Sequence, residues 1–402
     1  MITIKKPRIE NANGKSRCIC ELFVDDELKT VWFETDEKYG QYLCDDRADA
    51  YVIGLLSYAM RNRHDIKCEV PVTEELLYNI SVILIPSLAK YGKNISKIKI
   101  LAETLPAITE GSGVGTGCSC GVDSFDAIKS HTDSDFPDMD LTHICINNVG
   151  AFNKCYDAYG REKAKNERYA ETEKVAKELG LELIETDSNF SEVIYQSHAR
   201  THTFSSIFAV YMLQKLWKIY YYASSGYDYS AFTLENNDEI TSDHYELLSL
   251  QCFSTSGIKI YSEGGERTRL EKTINIADYP PAQKHLHVCI NKPYNCNVCP
   301  KCKRTLVTLD LLGKLDDFSD VFDTEYYRSN RSEYYKWLYR QHMAKDAMNE
   351  PVYKELSKRE DFKNAVFVQR IIYYPQKGYG DLREKLSKVP ELKKIYNKLK
   401  GL

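Results

Sequence analysis

A doubly wound α/β domain built on a parallel sheet is expected over residues 108–313. An N-terminal α+β segment at 1–107 and a helical C-terminal region at 314–402 flank it. Two patterns carry that expectation. Through the middle of the chain, short apolar runs bounded by turn residues alternate with longer segments of helical periodicity, and such alternation builds a parallel sheet covered by helices. At the head of it, Ser119-Cys120-Gly121-Val122-Asp123-Ser124 follows Gly115-Thr116-Gly117-Cys118 and precedes Phe125-Asp126-Ala127-Ile128-Lys129, which reads as strand, tight loop and helix.

The elements follow in order. Ile19 to Val24 and Lys29 to Phe33, joined by Asp25-Asp26-Glu27, read as a hairpin. Ala48 to Arg61 has apolar Tyr51, Ile53, Leu55, Leu56 and Met60 and reads as a helix. Another starts near Glu74, with Thr73 as its N-cap. No catalytic constellation appears in this first segment, which suits a scaffold or substrate-positioning role. Leu141 to Asn147 is a buried strand, and Arg161 to Leu179 a helix closed by Gly180, with Tyr169, Val175, Ala176 and Leu179 on its inner face. Leu181 to Glu185 is a strand, Thr203 to Leu216 an apolar helix, and Ile219 to Ala223 a strand ending at Ser224-Ser225-Gly226. Ligands of such sheets bind beyond the carboxyl ends of the strands. The 119–124 loop and the turns at Asn147-Asn148, Asp187-Ser188-Asn189 and Ser224-Ser225-Gly226 are expected on that rim. The region after 314 is tyrosine-rich and charged, and Pro375 to Gly380 interrupts its helical pattern.

Composition narrows the class. The chain has 402 residues, 43% hydrophobic and 28% charged, enough for two or three domains. A formal net charge of −4 does not favour nucleic acid as the main partner. The longest apolar stretch, Ile80 to Leu88, is too short to span a bilayer, and the first residues carry no apolar signal core, so a cytoplasmic protein without a membrane partner is expected. Thirteen cysteines in such a chain point to free or metal-bound thiols rather than a disulfide frame.

Two constellations carry chemistry. The first is the 119–124 loop: backbone amides and the positive end of a helix favour an anion such as phosphate or pyrophosphate. Ser119 and Ser124 add hydroxyl donors, and Asp123 either binds a metal or holds the loop. The second is Cys289, Cys296, Cys299 and Cys302, spaced C-x6-C-x2-C-x2-C. Four thiolates suit tetrahedral zinc, and Asn297 and Pro300 suit the turns between ligands. His285 and His287 are substitutes for Cys289 as the fourth ligand. An iron–sulfur cluster is the rival occupant.

The loop resembles the Ser-Gly-Gly-x-Asp-Ser signature of the PP-loop ATP pyrophosphatases, matching at Ser119, Gly121, Val122, Asp123 and Ser124, with Cys120 where the first glycine is usual. A side chain there crowds a backbone that wraps phosphate, or is strained if the loop needs φ > 0. Together with the downstream cysteines, residues 108 to 313 resemble the 7-cyano-7-deazaguanine synthase branch of that superfamily, with its PP-loop, HUP-like sheet. The first hundred and last ninety residues lie outside the resemblance, and Ser225-Gly226-Tyr227-Asp228-Tyr229 is a loose match to a small-residue turn beside that family's base-binding site.

The resemblance implies an AMP-forming ligase that uses ATP and Mg²⁺ to adenylate a carboxylate or amide oxygen of a small-molecule or acyl substrate, with ammonia or an amine then displacing AMP. Zinc sits at the cysteines. Cysteine-bound iron–sulfur and a sulfur donor is one alternative. A catalytically silent nucleotide-binding scaffold, of the kind expected in bacterial defence, is another. The catalytic set is Asp123 with cationic Arg269 and Lys272. Arg267, Lys301 and Arg304 are further candidates at the leaving pyrophosphate. The N-terminal segment and the C-terminal region are the surfaces for a homodimer or partner protein.

Several features stay outside this picture. Gly111, Gly113, Gly115 and Gly117 fit no register of G-x-G-x-x-G and read as a flexible connection, or lid, into the loop. No Walker-type G-x-x-x-x-G-K-[ST] is present. Cys118, Cys120 and Cys145 read as buried strand residues, with a thiol carrier or resolving pair as the alternative for Cys118 and Cys120. His198, His202 and His244 are isolated; His244 with Asp243 reads as a surface loop, with a site on the rim as the alternative.

Overall fold

The computed structural model describes residues 1–151, 160–194, 197–224, 228–234 and 242–373. The expected turns at Ser225-Gly226 and Pro375 to Gly380 lie outside them.

The strands are β1 (Ile2–Ile4), β2 (Arg8–Ala12), β3 (Lys15–Val24), β4 (Glu27–Asp36), β5 (Ile66–Cys68), β6 (Val72–Thr73), β7 (Ile100–Leu101) and β8 (Thr104–Leu105). They continue with β9 (Gly113–Gly117), β10 (His143–Asn148), β11 (Glu182–Ser188), β12 (Trp217–Ala223) and β13 (Lys259–Glu263). Eleven of them form one sheet in the order β13-β12-β9-β10-β11-β4-β3-β1-β5-β7, with β2 on β3, and β6 pairs β8 separately. The run from β13 to β11 is parallel throughout. The chain lays down β9, β10 and β11 in one direction, then crosses back past β9 to add β12 and β13. Strand order therefore reverses between β9 and β12, and this is where a doubly wound sheet opens a crevice at its carboxyl edge.

The N-terminal hairpin forms as its alternation requires: β3 buries every second residue and pairs β4 antiparallel. β4 also pairs β11 antiparallel, Thr186 opposite Thr35, so the sheet runs unbroken across residue 107. One apolar core spans both sides, with Phe208 against Phe33 at 5.9 Å and stacked on Phe190 at 4.5 Å. The helix Asp49–Asn62 packs on the helix His198–Met212, and Gly54 leaves room for the Phe190 ring, whose Cζ lies 2.8 Å from where a Cβ would stand.

Two local expectations are corrected. The glycine run is no flexible lid: Gly113–Gly117 is the central strand β9. Its glycines let the β12 end lie close, since a Cβ on Gly115 would meet the Trp217 ring at 2.4 Å. Thr73 stands at the N-cap of the helix Glu74–Tyr78 but its hydroxyl donates to Asp49, which is fully buried, instead of capping.

The C-terminal region is helical where described, at Thr324–Met343, Glu350–Leu356 and Glu360–Tyr373. Asp310, buried on the helix Pro300–Leu312, fastens it: Tyr327 and Tyr335 hydroxyls donate to its carboxylate at 2.7 and 2.8 Å, and Arg331 pairs with both oxygens. Among the described residues, no helix is long and apolar enough to cross a membrane.

Candidate functional site at the reversal of strand order

The loop after β9 and the end of β12 face each other across the reversal. Asn148, Ser188 and Ser224 also stand at carboxyl ends of parallel strands, so the expected rim is assembled. The helix Val122–Ser130 begins at the loop with Gly121 as N-cap, and no side chain caps its first amides. Those donors and the helix dipole point into the loop. Ser119 N–H donates to Ser124 Oγ at 3.2 Å, and the two hydroxyls lie 3.1 Å apart. Arg168, buried on the helix Arg161–Leu179, donates to the Ser119 carbonyl at 3.1 Å.

Cys120 sits in the left-handed region at φ 56°, fully buried. The loop thus demands the conformation a glycine adopts freely, and a side chain there costs about 1–2 kcal/mol. Its Sγ lies 3.9 Å from Cys118 Sγ. That contact, with Arg168 and Thr172 against the cost of burial, lowers the Cys120 pKa.

Asp123, in the first turn, meets two of the five cations expected at a leaving pyrophosphate. Arg269 Nη2 donates to Oδ2 at 2.9 Å and Lys272 Nζ to Oδ1 at 3.1 Å. Lys272 is 1% exposed and also donates to the Ser224 carbonyl at 2.8 Å, tying the loop to β12. Burial pushes the Asp123 carboxyl up, but the Arg269 and Lys272 charges outweigh it and hold the pKa down at about 2. With both oxygens taken by cations, Asp123 holds the loop rather than presenting a free metal ligand.

Local sequence explains why these cations arrive together. Thr268 and Glu271 form a capping box, so the helix Arg269–Ile276 starts at Arg269. Three residues on, Lys272 shares its face. Gly264, at φ 77°, makes room: a Cβ there would stand 2.8 Å from Asp126 Oδ2 and 3.1 Å from Lys272 Cε. Two of the other cationic candidates are used elsewhere. Arg267 pairs with buried Asp126 and Glu263, each at 3.0 Å. Arg304 donates to Asn349 Oδ1 at 2.9 Å, locking the C-terminal region, and Lys301 is exposed at the start of its helix.

Side chains that sequence reasoning left isolated also meet here. His202 lies between Asp243, at 2.5 Å from Nε2, and the Tyr222 hydroxyl, at 2.8 Å from Nδ1. Asp243 thus pairs with His202, which is 41 positions away in the chain. Nearby Glu246 is fully buried, takes the Ser262 hydroxyl at 2.7 Å on Oε1 and leaves Oε2 without a partner. Burial raises its pKa to about 7. No local motif announces this cluster, because Tyr222, His202 and Glu246 come from three separate elements.

The four cysteines converge as spaced: the Sγ atoms of Cys289, Cys296, Cys299 and Cys302 all lie within 4.8 Å of one another. Metal–sulfur bonds of ~2.3 Å put tetrahedral thiolates about 3.8 Å apart, so the set can hold one ion such as zinc. Backbone N–H groups of Asn291, Cys299 and Cys302 donate to Cys289, Cys296 and Cys299 sulfurs at 3.4, 3.4 and 3.5 Å, which favours thiolates. Asn297 turns the loop at φ 62°, and Pro300 opens the following helix. The histidine substitutes do not join. His285 is held by Glu171 and Glu178, and His287 Nε2 bonds the Lys292 carbonyl at 2.8 Å.

No protein-family model, curated protein or solved structure matches this chain.

Proposed function

We propose that this chain is a PP-loop, HUP-like ATP pyrophosphatase that adenylates a carboxylate or amide oxygen of a small-molecule or acyl substrate and then transfers the acyl group to ammonia or an amine. The observation that carries this reading is the Asp123–Arg269–Lys272 cluster at an uncapped helix N-terminus, placed where strand order reverses. Such a site presents amide donors and two cations to a polyanion, with a half-buried carboxylate fixing the cations rather than repelling the ligand.

In the first step the substrate oxygen attacks the α-phosphorus of ATP. The bond from that phosphorus to the bridging oxygen breaks, and pyrophosphate leaves with the electron pair. Ser119, Ser124 and the first helical amides bind and orient the leaving group, and Arg269 and Lys272 stabilise its growing charge. Charge neutralisation beyond what Arg269 and Lys272 give would come from Mg²⁺ carried in by the nucleotide. In the second step the nitrogen nucleophile attacks the acyl carbon and AMP departs. Zinc at the cysteines is the structural reading favoured by their compactness, since a multi-iron cluster needs its thiolates spread around several metal atoms. That same compactness disfavours the sulfur-transfer alternative.

Cys120 at a position suited to glycine favours one other reading, a nucleotide-binding scaffold without turnover. Product analysis separates the two. The ligase forms AMP and pyrophosphate from ATP in a panel of carboxylic and amide substrates. ATP passing to ADP and phosphate sinks both, and tight ATP binding with no AMP across the panel leaves the scaffold.

A further inference from the structure

The cysteine knuckle and the anion loop are physically one unit. The His287 amide, two residues before Cys289, donates to the Cys120 carbonyl at 2.8 Å. The His287 carbonyl lies 3.7 Å from where a Cβ on Gly121 would stand, so the segment entering the knuckle runs against the loop backbone. From the other side, His287 closes the knuckle through its bond to the Lys292 carbonyl. Cys118 and Cys120 share an apolar core with Cys289, Cys299 and Cys302. The residue gripped by this bond is the one that pays for its conformation: Cys120 is held at φ 56°, which a non-glycine residue leaves when its restraint is lost.

We infer that metal at Cys289, Cys296, Cys299 and Cys302 holds the Ser119–Ser124 loop in its anion-binding form through the His287–Cys120 hydrogen bond, so that the metal and a pyrophosphate-bearing ligand bind cooperatively. The inference rests on the nucleotide reading of the loop. The physical chain is short. Four metal–thiolate bonds order the 289–302 loop. That loop fixes the backbone at His287, and His287 fixes the strained carbonyl at Cys120. Without metal the knuckle loses its closure, Cys120 relaxes towards negative φ, and the first-turn amides no longer converge. Coupling between two binding sites is reciprocal, each ligand changing the other's affinity by the same factor.

The test uses the full-length, metal-loaded protein and needs no knowledge of the acyl substrate. Metal release to a chromophoric chelator is followed with and without saturating Mg²⁺–pyrophosphate, and again with an imido analogue of Mg²⁺–ATP. Release is expected to slow about tenfold, within the usual range of allosteric coupling. The reciprocal measurement, titration of the same ligands into loaded and metal-stripped protein, is expected to show weaker binding by a similar factor after stripping. If stripping unfolds the chain, the release kinetics alone decide, since they start from the folded holoprotein. Cys120→Gly, which adopts the loop conformation without strain, is expected to shrink the effect. Ligand binding with unchanged release overturns the coupling and leaves the nucleotide reading standing. Absence of binding to the loaded protein overturns both.

Discussion

Asp123 and Lys272 stand 149 residues apart in the chain and 3.1 Å apart in the fold, and the same ammonium reaches the Ser224 carbonyl at 2.8 Å. One buried cation thus joins the loop after β9, the end of β12 and the helix after β13.

Replacing that cation leaves the half-buried Asp123 carboxylate with Arg269 alone and the Ser224 carbonyl without its donor. Lys272→Met is expected to destabilise the protein by about 3 kcal/mol, the scale for breaking a buried pair from one side. Denaturant unfolding measures it, with the ATP affinity of the surviving folded protein expected to fall in parallel.

The Asp123 pair also sets an acid limit. Its carboxyl is held at about 2 against an ordinary 3.8. The folded state prefers the ionised form, so this stability is present above about pH 4 and lost as pH falls through 2. The share is about 2 kcal/mol. The difference in unfolding free energy between pH 5 and pH 2 should shrink by that amount in Asp123→Asn.

Glu246 has the opposite sign. Burial raises it from 4.5 to about 7, so the folded state prefers the neutral acid. Its contribution is full below pH 4.5 and disappears as pH rises through 7, a loss of about 3 kcal/mol. Glu246→Gln, neutral at every pH, should flatten the stability curve across that window. An unchanged slope would show that Glu246 ionises normally.

At Cys120, backbone and burial pull in different directions. Alanine buries more surface than glycine but remains at φ 56°. Cys120→Gly should therefore be more stable than Cys120→Ala by about 1 kcal/mol, and the β-branched Cys120→Val the least stable of the three. The ordinary burial ranking, alanine above glycine, would argue against strain at this residue.

The purified protein should carry about one zinc per chain by elemental analysis, without iron. Cys302→Ser should lower that content severalfold and lower thermal stability with it, because the ligand set no longer closes.

Much of this was written in local sequence. The alternation that defines β10, β11 and β12, the C′ glycine at Gly180, the β3–β4 hairpin and the cysteine spacing are short-range patterns, each enforced by neighbours within a few turns of chain. They sufficed to single out Ser119–Ser124, the four cysteines and a set of cationic candidates that includes Arg269 and Lys272. What local pattern could not supply was the partner of each side chain across the sheet. Glycines in a row look flexible until Trp217 is seen lying on them. Arg267 looks as available as Arg269 until Asp126 claims it. His202 looks isolated until β12 and the segment at Asp243 deliver its neighbours. By itself the sequence placed the Ser119–Ser124 loop at a strand–helix junction and spaced four cysteines for one metal ion. Only the tertiary structure decided which cations reach Asp123, that the N-terminal hairpin extends the same sheet, and that the knuckle grips Cys120. Those outcomes depend on strand order and on packing between residues far apart in the chain, which no periodicity encodes.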